Sequence, residues 1–407
     1  MKTSICLLAA LGGALLASCS SDSITPQPEP GQNQTARIEV TLTGNNTGTK
    51  ANGSALPGDD NTGEQKVNNI VIGIFKDSDG SIVTIQDMTA PKVGTGDANK
   101  NVITCPLTGT SAVTCSAVVV ANVPASSITT LKSSTTKTDF LGQTISLSES
   151  TVSGNVQIST NLPMSGDILD TGNSNASTFS LTPGGTKTGL SVQLTRMASR
   201  ITLTSLKSDF SASAYPSAKF KLQRVLLRGA IATTKVTTSA TATNAMPASP
   251  SYLIGGGTWS GTAWPGDNPY LFDDLGTPLL IDGSTTLPGS KYYWFYSFAN
   301  DGSTNPTAFI IQGIFDVDGN FDTPGDATTV FYPVIVNKNQ PGTSYSGGAT
   351  TGTATGSISR NTLYNLAVTL KNKGISSPMD NINPANLEIN VSVAAWPAAI
   401  VQTVDFN

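Results

Sequence analysis

Few residue types in this chain could do chemistry. Four cysteines, Cys6, Cys19, Cys105 and Cys115, stand without a single histidine in 407 residues. That removes Ser-His-Asp and Cys-His catalysis, and with them the commonest zinc ligand. Carboxylates remain, but they sit mostly in turns: Asp77 and Asp79 in KDSDGS, Asp59 and Asp60 after a proline, Asp316 and Asp318 in DVDGN. Asp-Gly between alternating apolar runs signals a hairpin. Asp316, Asp318 and Asp322 offer oxygens to calcium, yet the loop is too short for an EF-hand and lacks its later glutamate. A plain hairpin turn is therefore the reading taken. No phosphate-binding loop is present, because SYLIGGGTW has no lysine and no helix after it. The densest aromatic run, Tyr292 to Tyr296, alternates as a strand and would put some rings in a core and others at the surface. A carbohydrate platform there, with Trp259 and Trp264, is the alternative to core packing. No catalytic residue, metal or cofactor is assigned, and nothing points to an enzyme.

The start of the chain concerns export. Lys2 precedes an apolar run, Ile5 to Leu16, too short to span a bilayer as a helix. It reads as the apolar core of a signal peptide. Leu16-Ala17-Ser18-Cys19 resembles a bacterial lipobox, in which cleavage precedes the cysteine and its thiol carries the lipid. Residues 1–18 are then the signal and residues 19–35, polar and proline-rich, a solvated tether. An ordinary signal peptide that happens to contain a cysteine is the alternative.

Composition describes an exported β protein. Charged residues make up 12% of the chain, about half the usual share. A net charge of −4 gives no pull towards nucleic acid. After the signal about 390 residues remain, enough for two domains of ordinary size. Cys105 and Cys115 flank a Thr-Gly-Thr-Ser turn in VITCPLTGTSAVTCSAVVV. Two strands there would place the thiols roughly opposite each other, and export permits a disulfide. Two buried free thiols fit the same residues.

Short alternating strands separated by turns dominate the chain. Residues 36–43 alternate strictly, with Ile38, Val40 and Leu42 on one face. Residues 45–66 read as a long exposed loop holding Lys50. Strands follow at Val67 to Phe75 and Ala117 to Ala121, and residues 126–142 read as a short surface helix with a threonine-rich, frayed centre. The Gly-Thr-rich stretch 182–191 marks a boundary between a first sandwich, 51–191, and a second, 192–396. Residues 229–290 read as long loops, and strands resume at 291–299, 307–315, 329–337, 361–371 and 386–395. In the tail, 397–407, Ile400, Val404 and Phe406 share one face. If a protease cut the exposed loop at Lys50, residues 36–43 could leave the sandwich. Another molecule's strand could then fill the groove by main-chain pairing.

The chain resembles the FimA-like fimbrillins, the type V pilins of Bacteroidales. The likeness is spread along it: the lipobox at Cys19, ARIEVTLTG, Lys50 before ANGS, VVVANVP, LTRMASRITLTSL, TVFYPVIVN, SRNTLYNLAVTLKNKG and LEINVSVAAW. The resemblance implies an all-β fold of two tandem transthyretin-like β-sandwiches with few short helices. It implies an outer-membrane lipoprotein precursor, held by lipid on Cys19 and then built into an extracellular fimbrium that supports adhesion. Maturation would be cleavage between Lys50 and Ala51 by a trypsin-like Arg/Lys-specific protease, removing residues 36–50. The partners would be identical or related subunits, each supplying the tail around Ile400, Val404 and Phe406 as donor strand. The presence of that tail favours a shaft or anchor role over a tip. A monomeric surface lipoprotein binding glycan or host protein, or a tip adhesin, are the other readings.

Overall fold

A computed structural model of the chain describes residues 33–44, 63–94, 96–239, 241–283, 287, 293–338, 343–347, 355–380 and 387–395. The fold is all-β with a few short helices, and its strands fall into two successive units.

The first unit is one eight-stranded sheet. Its order is Ile82–Thr89, Asn69–Lys76, Val113–Ala121, Met164–Asp170, Thr186–Arg196, Asn33–Gly44 and Lys100–Thr108, with Thr178–Leu181 paired beside Val113–Ala121. Both ends of this path contribute to one core. Ile70, Ile72 and Ile74 pack in the same cluster as Ile103, Cys105 and Leu107, so the sheet curls over itself into a sandwich. The continuous apolar runs IVIGIF and VVV are buried on both faces. Alternate residues Val71, Phe75, Val118 and Val120 point away from that core and meet a second one. Two short helices, Ala125–Lys132 and Lys137–Gly142, cover them through Leu131 and Phe140, whose ring lies 5.4 Å edge-on from Phe75. The expected helix over 126–142 is thus two. The break comes at residues 133–136, where the Thr136 hydroxyl accepts the Asp139 N–H at 3.1 Å and starts the second helix afresh.

The second unit packs two five-stranded sheets. One runs Tyr293–Phe298, Ala198–Ser208, Thr362–Leu370, Leu387–Ala395 and Thr343–Gly347. The other runs Tyr252–Ile254, Lys219–Ile231, Ala308–Asp316 and Thr328–Ile335, with Phe272–Ile281 also paired to Lys219–Ile231. Residues 229–290 are therefore more than loops. They carry two partners for Lys219–Ile231, whose own last residues lie inside that stretch. Of the aromatic run, Tyr293, Phe295 and Tyr296 are buried and Trp294 is half-buried, while Tyr292 lies outside the described residues. Trp259 and Trp264 stack on each other at 5.0 Å, and Trp259 meets Phe331 edge-on at 5.0 Å, closing the outer face of the second sheet. Among the described residues, no helix is long and apolar enough to cross a membrane.

Candidate functional site

The first strand, Asn33–Gly44, is held on both edges. It runs antiparallel to Lys100–Thr108 without interruption, from Asn33 opposite Thr108 to Thr41 opposite Lys100. On the other edge it runs parallel to Thr186–Arg196. That second register slips between Ile38, opposite Lys187, and Val40, opposite Leu190. Gly189, at φ +72°, lies in the extra length of the partner strand and takes the bulge at a conformation most side chains resist. The strict alternation of the sequence does the rest. Ala36, Ile38, Val40 and Leu42 are 0–1% exposed and line the core of the first sandwich, while Arg37 and Glu39 face outwards. Glu39 reaches Lys100 on the neighbouring strand at 2.9 Å.

Taking this strand out would expose two rows of backbone groups and the apolar floor that Ile38, Val40 and Leu42 cover. A vacancy of that shape recognises another extended segment with alternate apolar side chains.

The chain that follows is anchored where the sequence suggested a loop. Gly63–Gln65 is a single 3₁₀ turn, and Glu64 is 1% exposed. Its carboxylate accepts Arg200 Nη1 at 2.8 Å and the Tyr296 hydroxyl at 2.7 Å, while its carbonyl accepts Arg196 Nε at 2.8 Å. Two residues on, the Lys66 carbonyl takes a bond from Asn122 Nδ2 at 2.7 Å. Of the loop expected over 45–66, Gly63 and Glu64 are therefore buried instead, and residues 45–62 lie outside the described residues. A carboxylate buried here is tolerable because it is paired and hydrogen-bonded together. Burial pulls Arg196 down to about 10 against the opposing charge of Glu64, and pushes the Tyr296 phenol well above its ordinary value, with Glu64 adding to the rise.

Arg360 makes a second junction between the units. Its guanidinium donates to the carbonyls of Arg196 at 3.0 Å and Ser165 at 3.4 Å, and to those of Thr195 and Thr237. Burial brings it down to about 10, with Asp167 pulling the other way. Gln157 joins in from the first unit, exchanging bonds with the Tyr296 backbone at 2.7 and 3.0 Å. None of Glu64, Arg196, Arg200 or Arg360 received a role from the sequence. An isolated charge in a polar or β-branched run has no periodic signature, and Glu64 meets Arg200 across 136 positions.

The other expected residues fall as follows. Cys19, Lys50, Ala51, Ile400, Val404 and Phe406 lie outside the described residues, as do residues 1–32 and 396–407. Cys105 and Cys115 are both free and buried. The hairpin that would have set them opposite each other does not form, because their strands take different partners. Cys105 sits opposite Ala36 of the first strand, and Cys115 opposite Phe179 and Lys76. Both thiols still face one core. Burial pushes Cys105 up to about 12, with Cys115 near enough to add to it, and pushes Cys115 up to about 11. The Asp79-Gly80 turn forms as expected: Asp79 Oδ1 accepts Ser81 N–H at 2.9 Å and Gly80 takes φ +71°.

Residues 36–196 match the family described as "Major fimbrial subunit protein (FimA)", and residues 295–396 match the "FimA4 pilin C-terminal domain". The chain belongs to the FimA-like fimbrillins. The first match ends at Arg196, and Ala198–Ser208 belongs to the second unit.

Three crystal structures share the fold. The fimbrilin of Porphyromonas gingivalis W83 is 18% identical, with a TM-score of 0.58 over 90% of this chain and 99% of its own. A protein of Parabacteroides distasonis ATCC 8503 assigned to cell adhesion is 18% identical, with a TM-score of 0.60 over 91% and 99%. A protein of Bacteroides eggerthii DSM 20697 with the same assignment is 20% identical, with a TM-score of 0.53 over 90% and 97%. No curated protein sequence matches the chain.

Proposed function

We propose that this fimbrillin is a structural subunit that polymerises by strand exchange after proteolytic removal of its first strand. The precursor is exported as an outer-membrane lipoprotein held by lipid on Cys19. A trypsin-like protease cuts between Lys50 and Ala51, and residues up to 50 depart with the lipid. The tail around Ile400, Val404 and Phe406 of a neighbouring subunit enters the vacated groove. The fimbrium built this way supports adhesion.

The observation that carries the reading is the placement of Asn33–Gly44. It is a core strand by burial and by pairing on both edges, yet it adjoins the segment that holds Lys50. The anchoring of Glu64 and Lys66 adds support, since a cut at Lys50 releases the upstream strand and leaves the chain from Gly63 onward fixed to both units. Burial of the aromatic strand Tyr293–Phe298 weighs against a carbohydrate platform there.

Deleting residues 398–407 tests the donor assignment. The truncated protein should fold, be cut at Lys50, and stay monomeric. Normal polymerisation of the truncated protein would refute the role given to the tail.

A further inference from the structure

The strands Ala308–Asp316 and Thr328–Ile335 are joined by a turn through Asp318, Gly319, Asn320, Asp322 and Asp326. Its carboxylates are arranged in a way a plain hairpin does not require. Asp316 is 0% exposed, yet neither of its carboxylate oxygens has a hydrogen-bond partner. Asp326 Oδ1 is likewise buried and unpartnered. One oxygen from each of Asp316, Asp318 and Asp326 lies within 4.8 Å of the other two. A buried carboxylate without partners is strongly disfavoured unless it loses its charge or meets a cation.

Among the described residues, no salt bridge reaches these carboxylates. The sequence from Asp316 to Val336 contains no lysine or arginine. Lys219 stands opposite Asp316 in the ladder, but among the described residues no ion pair joins it to any of the three carboxylates. Lys221 is occupied elsewhere, its Nζ lying 3.8 Å from the centre of the Phe321 ring.

The turn also fixes the direction of its acids. Asp318 Oδ1 accepts the Asn320 N–H at 2.7 Å, and Oδ2 accepts the Thr323 hydroxyl at 3.1 Å. Gly319, at φ +77°, folds the turn back over the start of Lys219–Ile231, where a Cβ would collide with the Ser217 carbonyl.

We propose that Asp316, Asp318 and Asp326 form a divalent-cation site whose ion is calcium. The donors are all hard oxygens, which calcium takes six to eight at a time, in flexible geometry. Magnesium keeps most of its water and settles for one or two carboxylates, so three converging ones favour the larger ion. Bound calcium neutralises Asp316 and ties the turn to the aromatic cluster beneath it, where Phe315 meets Phe210 at 5.2 Å and Tyr215 at 5.7 Å. This inference stands apart from strand exchange and does not need it.

The test is calorimetric titration of calcium into chelator-treated full-length protein, followed by thermal unfolding with and without the ion. One calcium should bind per chain. The midpoint should rise by roughly 3–6 °C at a tenfold excess over Kd. Asp316→Asn and Asp326→Asn should fold, because each relieves like-charge crowding, and both should lose the calcium-dependent shift. The calcium-free midpoint of Asp316→Asn should exceed that of the unaltered chain. Absence of stoichiometric binding up to about 10 mM calcium would overturn the site, since extracellular modules bind below that. So would an undiminished calcium shift in both variants. An equal shift with magnesium would overturn the choice of ion.

Discussion

Replacing Ile38 and Val40 together by alanine tests how firmly the first strand is held. Both side chains are 0% exposed in the core of the first sandwich. Burial of a large aliphatic side chain contributes about 1.5–3 kcal/mol, so Ile38, Val40 and Leu42 together contribute roughly 5–9 kcal/mol. That is comparable with the whole stability of a small domain, roughly 5–15 kcal/mol. Truncation to alanine costs about 2–4 kcal/mol at each site, and the two sites share one face, so their effects couple. A total near 4 kcal/mol corresponds to a factor of about 10³ in retention. The assay has two parts. Urea unfolding of the uncut protein should show the loss directly. After cleavage at Lys50, the N-terminal fragment should leave the double variant about 10²–10³ times faster than the unaltered chain, read by intact mass after gel filtration. Equal retention, or an unchanged urea midpoint with an unchanged slope, would refute the reasoning.

Two further outcomes follow from the buried groups. Glu64→Ala leaves Arg200 buried without its carboxylate and should cost about 3–5 kcal/mol, measured by urea unfolding, whereas Arg200→Met paired with Glu64→Met should recover most of that. Cys105 and Cys115 should resist a maleimide in the native protein at pH 7 and react on unfolding. Their thiols are raised to about 12 and about 11 from an ordinary 9.0, so the fold holds these protons more tightly than the unfolded chain does. Stability from this source is therefore complete below pH about 9 and is lost as pH climbs from there towards 11–12, which an alkaline unfolding series with and without Cys105→Ala would register.

Much of the fold was legible because its signals are local. The alternation of residues 36–43 located the first strand and its inward face, and Asp79-Gly80 located a hairpin. Runs at 307–315, 329–337, 361–371 and 386–395 fell within about two residues of the strands formed. What stayed hidden was long-range pairing. Cys105 and Cys115 are close in sequence, and a Thr-Gly-Thr-Ser turn lies between them. The strand carrying Cys105 nevertheless pairs with a segment nearly 70 positions earlier. The Ala-Thr-Gly-rich stretch 229–290 carried no strong period, yet Tyr252–Ile254 and Phe272–Ile281 were recruited as partners by the long strand Lys219–Ile231. The aromatic run Tyr292 to Tyr296 was expected to put some rings in a core and others at the surface, yet among its described rings only Trp294 is not buried. Periodicity cannot reveal that the first unit covers its other face.

Glu64 and Arg360 mark the limit of such reading for the candidate site. One charged side chain in a polar or β-branched segment looks like a solvated surface group. Only the fold shows that Glu64 meets Arg200 and Tyr296, or that Arg360 collects carbonyls from both units. The stretch 316–322, with Asp316, Asp318 and Asp322, was read from spacing alone as a hairpin. The depth at which Asp316 lies is a tertiary fact.

The central claim is tested most directly by limited trypsin treatment of purified, lipid-free protein, with N-terminal sequencing and size analysis before and after. A new N-terminus at Ala51, loss of the fragment carrying Ile38, Val40 and Leu42, and growth of SDS-resistant or filamentous multimers are expected. A clean cut at Lys50 in which that fragment departs and the protein remains monomeric would contradict the claim.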